Sequence, residues 1–119
     1  MTADFAVASL VRQPERCEWE VSVPADLLYL RGHFENDPIV PAIAILERLV
    51  RRRCRQCWPE LERLVKVRQL KFRRPVRPGE VLRLHLERGH GPAALQVTFR
   101  LDRDVDTCSA GILEFEAPA

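Results

Sequence analysis

Three stretches of this chain alternate apolar and polar residues with a period of two. Cys17, Trp19, Val21 and Val23 interleave with Glu18, Glu20 and Ser22. Leu82, Leu84 and Leu86 interleave with Arg83, His85 and Glu87, and Leu95, Val97, Phe99 and Leu101 with Gln96, Thr98, Arg100 and Asp102. Strand side chains point alternately to opposite faces, so each stretch predicts a β-strand with one buried and one wet face. Residues 64–72 are also rich in β-formers, but their alternation slips between Val67 and Leu70, which predicts a bulge or a register change. Thr107 to Ala117 is the expected closing strand, and Phe5, Val7, Leu10 and Val11 fit a further one near the start. Turns are expected at Pro24, residues 75–79, Gly89 to Pro92 and residues 102–106.

One region reads differently. Residues 26–41 hold Gly32, His33, Phe34, Asn36, Asp37, Pro38 and Pro41, the composition of an ordered, irregular loop. Pro41 suits the first turn of a helix, where its missing N–H costs nothing. The helix is expected to run to about Trp58, before Pro59. With about 100° of advance per residue, Ile43, Leu46, Val50, Cys54 and Cys57 fall on one apolar arc. Arg48, Arg51, Arg52 and Arg55 point elsewhere. Glu47 falls on the apolar side, between Cys54 and Trp58. A carboxylate there is costly unless it is paired or hydrogen-bonded, so Glu47 reads as a satisfied structural group, as an edge position, or as a catalytic one. His33, a histidine in a Pro-rich loop, reads as structural, as merely exposed, or as catalytic. One early helix followed by successive antiparallel strands makes the class α+β, a single domain over residues 1–119 with the helix laid on one sheet face.

Charge and cysteine content narrow this further. The net charge of +2 gives no bulk argument for nucleic acid. Arginines cluster at Arg51, Arg52, Arg53 and Arg55, and again with Lys71 at Arg68, Arg73, Arg74 and Arg77. Such clusters are either solvated faces or docking surfaces for an acidic partner. No run approaches the ~18 apolar residues of a membrane helix, and residues 1–10 lack a leader pattern. The expectation is a cytoplasmic protein without nucleic-acid or membrane partners. Cys54-x-x-Cys57 invites a zinc or redox reading, but no second closely spaced pair exists, so the cysteines are expected to be structural thiols. His85 and His90 are expected to be structural or exposed.

The run Gly32-His33-Phe34-Glu35-Asn36-Asp37-Pro38-Ile39-Val40-Pro41-Ala42, continuing to Glu47, resembles the active-site motif of the bacterial 3-hydroxyacyl-acyl-carrier-protein dehydratases. That motif reads G-H-F, three variable residues, P-I-x-P-G, then an acid within the helix. Lys71-Phe72-Arg73-Arg74-Pro75-Val76-Arg77-Pro78-Gly79-Glu80 and Gly111-Ile112-Leu113-Glu114-Phe115 look like the family's later strands. The resemblance covers about residues 20–117 and looks closer to the short accessory branch serving aryl-polyene or polyketide-like pathways than to the housekeeping enzyme of fatty acid biosynthesis.

What the resemblance implies is a hotdog fold, a long central helix wrapped by an antiparallel sheet. It implies a homodimer with joined sheets and sites at the interface, without metal or organic cofactor. The substrate would be a 3-hydroxyacyl thioester on acyl-carrier protein, dehydrated to the trans-2-enoyl thioester. His33 would be the base and Glu47, from the other chain, the acid. Gly32 and the Ala42 N–H would hold the thioester oxygen; Ala42 stands where the family has glycine. Phe34, Ile43 and Leu46 would line the acyl tunnel, and Arg73 and Arg74 would meet the carrier. The rival readings are a hotdog acyl thioesterase, in which Glu47 activates water, and a non-catalytic hotdog subunit that binds acyl-carrier protein.

Overall fold

The computed structural model describes residues 4–26 and 39–116. Six strands form one antiparallel sheet: β1 (Ala6–Arg12), β2 (Arg16–Ser22), β3 (Arg63–Phe72), β4 (Val81–Arg88), β5 (Gln96–Arg103) and β6 (Asp106–Glu116). The spatial order is β1-β2-β4-β5-β6-β3. The chain therefore leaves β2 for the helix and returns at the far edge with β3. The alternation seen in the sequence sets the register. Cys17 lies opposite Leu86, Trp19 opposite Leu84 and Val21 opposite Leu82; Leu84 and Leu86 oppose Leu101 and Phe99 in turn. These residues are all buried, so the inner face is a continuous apolar floor.

The expected slip in β3 is present. Its pairing with β6 shifts between Arg68 and Lys71, and Gln69 takes a left-handed backbone with φ of 52°. Another irregularity lies between Leu101 and Asp102, where β6 contributes Cys108 as an extra residue.

One continuous helix covers residues 42–57, in three segments. Ala42–Ala44 is α-helical, Ile45–Val50 is π-helical, and Arg51–Cys57 is α-helical again. Pro41 stands one position before the first helical residue, with an extended ψ of 141°, and its carbonyl accepts from the Ala44 and Ile45 N–H groups. At the other end the Trp58 N–H reaches the Cys54 carbonyl at 2.8 Å, and the Trp58 indole donates to the Pro14 carbonyl at 2.8 Å. Ala44, Ile45, Leu46, Leu49, Val50 and Cys54 are buried in the same apolar core as the inner rows of the sheet.

The π-turn changes which residues face the core. An i→i+5 hydrogen bond widens the turn, so each residue in it advances less than the α-helical 100°. A uniform α-helix would put Ile43 on the same side as Val50. In the structure Val50 is fully buried, whereas Ile43 is 64% exposed. The expected apolar arc therefore holds for Leu46, Val50 and Cys54 and fails for Ile43.

Gly111 on β6 shows how closely the sheet is packed. A Cβ there would stand 2.9 Å from a ring carbon of the buried Phe99 and 3.1 Å from a Leu70 methyl. Overpacking of this kind costs about 1–3 kcal/mol. Gly111→Ala is expected to lower the urea midpoint accordingly; an unchanged midpoint would show that Phe99 repacks freely.

Candidate functional site

The front half of the helix is anchored at a point where two motif blocks meet. Val40, from the first block, donates its N–H to the Val76 carbonyl of the second at 2.7 Å, and both side chains are buried. The turn of the second block is tied down as well: the Gly79 N–H donates to Val23 O at 2.7 Å and the Val23 N–H to Glu80 O at 2.9 Å. Two separate segments thus fix where Pro41 launches the helix. The N–H groups of its first turn, that of Ala42 included, have no acceptor four residues back inside the helix. They lie at the positive end of the helix dipole, suited to an oxygen that gains negative charge.

Glu47 lies inside the π-turn. It is not on the buried face, as a uniform helix would have placed it: its side chain is 35% exposed. One carboxylate oxygen, Oε2, accepts a hydrogen bond from Arg51 Nη1 at 2.8 Å. More than four residues complete a π-turn, so residues four apart stand more nearly one above the other than in an α-helix. Glu47 and Arg51 line a groove of about 640 Å³ with Pro41, Ile43, Ala44 and Arg48. Ile43, displaced from the core, supplies apolar surface to this groove. Leu46 does not line it and lies in the core. The arrangement offers a carboxylate with Oε2 tethered and, among the described residues, Oε1 untethered, next to apolar surface and the helix N-terminus.

His33, Gly32 and Phe34 lie outside the described residues. Arg73 and Arg74 are exposed just beyond β3, and their N–H groups share the Cys108 carbonyl at 2.8 and 3.2 Å. With Lys71 and Gln69 they line a second groove of about 800 Å³, over Thr98, Ala110 and Ile112. Those three are outward-facing strand positions, so this groove opens on the sheet face away from the helix. It shares no residue with the Glu47 groove, and one chain does not bring Arg73 and Arg74 beside Glu47.

The thiols are poor candidates for chemistry. Burial pushes the Cys54 thiol far above its ordinary range and Cys57 up to about 12, with neighbouring thiols adding to both shifts. Each is therefore held protonated, the unreactive form. Among the described residues no group of three His, Cys, Asp or Glu side chains is placed to hold a metal ion, and no helix is long and apolar enough to cross a membrane.

His85 belongs to a ladder of charges on the outer sheet face, a feature that sequence alternation had marked only as wet. It stands opposite Glu18 on β2 and Arg100 on β5. Its Nδ1 is 3.5 Å from Glu18 and its Nε2 3.3 Å from Asp102. Burial first, then Arg100, push its pKa below the ordinary value, with a smaller push from Arg83; Glu18 and Asp102 pull the other way.

A helix wrapped by a single antiparallel sheet in this strand order is a hotdog domain, and comparison with known proteins places it among hotdog dehydratases. The chain belongs to the ApeI-like dehydratase family, whose model, described as ApeI dehydratase, matches residues 9–112. It is 39% identical over 67 residues to the 3-hydroxyacyl-acyl-carrier-protein dehydratase FabZ of Protochlamydia amoebophila, covering 52% of this chain and 44% of that protein. It is 35% identical over 65 residues to the FabZ of Levilactobacillus brevis, covering 50% and 44%. The chain thus matches less than half the length of these relatives. Among solved structures, the dehydratase heterocomplex ApeI:P from Xenorhabdus doucetiae superposes with a TM-score of 0.77 at 22% identity, over 92% of this chain and 96% of that one. Mouse thioesterase superfamily member 2 superposes with a TM-score of 0.70 at 15% identity, over 92% and 80%. Both likenesses concern the fold.

The lowered His85 pKa has a consequence for stability. Below the ordinary histidine pKa of about 6.5 the unfolded chain takes up this proton before the folded one, so His85 lowers stability as pH falls through that value. Above it, the contribution is fully retained. Thermal melts of wild type and His85→Gln between pH 7.5 and pH 5.5 are expected to show a shallower acid decline in the variant. Parallel declines would contradict the assignment.

Proposed function

We propose that this chain dehydrates 3-hydroxyacyl thioesters carried on acyl-carrier protein to trans-2-enoyl thioesters, in a homodimer whose two sites lie at the subunit interface. The observation that carries the reading is Glu47, a partly exposed carboxylate in a groove beside the helix N-terminus, at the position where the motif requires an acid.

Loss of water needs the C2 proton removed and the C3 hydroxyl expelled. His33 is the base, since imidazole titrates near neutral pH. It is drawn from one subunit and Glu47 from the other. Glu47 donates to the departing hydroxyl or orients it. The Ala42 N–H, with Gly32, receives the thioester oxygen as it gains charge. Alanine keeps the N–H that glycine would provide. Phe34 and Ile43 line the acyl path, and Leu46 backs it from the core. Neither metal nor organic cofactor takes part, and the site of action is the cytoplasm. The substrate branch is the aryl-polyene or polyketide-like one. Arg73 and Arg74 attract the acidic carrier from the outer sheet face.

A second reading is a hotdog subunit that works in a heterocomplex. It is favoured by the likeness to a dehydratase heterocomplex and by Ala42, which stands where the motif has glycine.

Two measurements test the proposal. His33→Ala and Glu47→Gln are each expected to lower the dehydration rate of a 3-hydroxyacyl thioester by about 10²-fold or more; near wild-type rates for either would sink the assignment. Charge reversal at Arg73 and Arg74 is expected to raise KM for the carrier-bound substrate more than for a small thioester. Equal changes would remove these arginines from docking.

A further inference from the structure

Glu47 has a neighbour, Arg51, one helical turn further on. Among the described residues, Arg51 donates a hydrogen bond to the Glu47 carboxylate, from Nη1 to Oε2 at 2.8 Å. Both side chains are 35% exposed, so neither is locked by packing alone. A glutamate in an open groove otherwise samples several rotamers, and each turns its two oxygens differently. The neighbouring Arg52 is committed elsewhere, to Asp4 at 3.0 Å. The π-turn, by bringing residues four apart more nearly into line, places Arg51 over the carboxylate.

We propose that Arg51 is a positioning residue for the dehydration: it tethers Oε2 of Glu47 and leaves Oε1 as the atom that meets the C3 hydroxyl of the substrate. The proposal rests on the dehydratase reading and deepens it. Arg51 itself touches neither thioester nor hydroxyl; it acts through Glu47. Three consequences follow from that geometry. First, loss of Arg51 slows the chemical step more than it weakens binding. Second, the effect is the same whether the substrate rides on carrier protein or on a small uncharged thiol, because no phosphate is being held. Third, the effect vanishes once Glu47 can no longer be positioned.

The test is a double-mutant cycle on the purified protein with a 3-hydroxyacyl N-acetylcysteamine thioester and with the carrier-bound substrate. Arg51→Ala is expected to lower kcat by about 10- to 100-fold, the range for a misplaced catalytic group, with KM little changed. Arg51→Lys, which restores a cation and a donor, is expected to recover most of the loss. Arg51→Ala in a Glu47→Gln background is expected to add nothing further. The melting temperature of Arg51→Ala should match wild type, which separates positioning from a folding defect.

A wild-type kcat in Arg51→Ala, with Glu47→Gln and His33→Ala inactive, overturns the proposal and leaves the dehydratase reading standing. A loss confined to carrier-bound substrate also overturns it, by making Arg51 a contact for the carrier or its phosphate. Additive losses in the cycle overturn it too, because Arg51 would then act independently of Glu47. Full activity in Glu47→Gln and His33→Ala removes both the reading and the proposal.

Discussion

The structure depends on one face of one helix being buried against one face of one sheet. Leu49, Val50 and Cys54 are fully buried, in one core with Leu84, Leu86, Val97, Phe99 and Leu113. Burying a side chain of the Val, Leu or Phe class stabilises by about 1.5–3 kcal/mol. An exposed ion pair between residues four apart on a helix contributes about 0.3–0.5 kcal/mol. The apolar residues therefore fix the rotation of the helix about its axis, and Glu47 and Arg51 stand where that rotation leaves them. The candidate carboxylate is placed by residues that never touch it.

That ordering explains what could be read from the sequence. The strands were legible because a period of two leaves little choice of face: a slip of one residue would turn Leu82, Leu84 and Leu86 to water and Arg83 and His85 to the core. Even the β3 irregularity announced itself, as a broken alternation between Val67 and Leu70. The helix was legible in its extent and less so in its phase. A period of 3.6 assumes α-helical geometry throughout, and nothing in Ile45–Val50 spells out a π-turn. The consequence was confined to the front of the helix, where Ile43 came out of the core and Glu47 came to the edge of a groove.

The candidate site was legible in a different way. Neither His33 nor Glu47 declared a role by burial or spacing alone; what singled them out was their joint register with Pro38 and Pro41. The structure adds a physical reason for part of that register. Val40 and Val76, from two motif blocks far apart in sequence, are joined by a backbone hydrogen bond that sets where the helix begins. Arg51 carried no such signal, because it sat in a run of arginines that reads as a solvated face. What distinguishes it from Arg52, whose guanidinium meets Asp4, is that its own guanidinium meets the Glu47 carboxylate.

The product of the reaction identifies its class directly. The purified chain should be incubated with a 3-hydroxyacyl thioester of acyl-carrier protein and the carrier species followed by intact-protein mass spectrometry. A dehydratase leaves the acyl group on the carrier, lighter by one water, and added enoyl thioester is hydrated back toward the same mixture. Release of free acid with recovery of bare carrier would instead identify a thioesterase, and an unchanged 3-hydroxyacyl carrier would contradict catalysis by this chain.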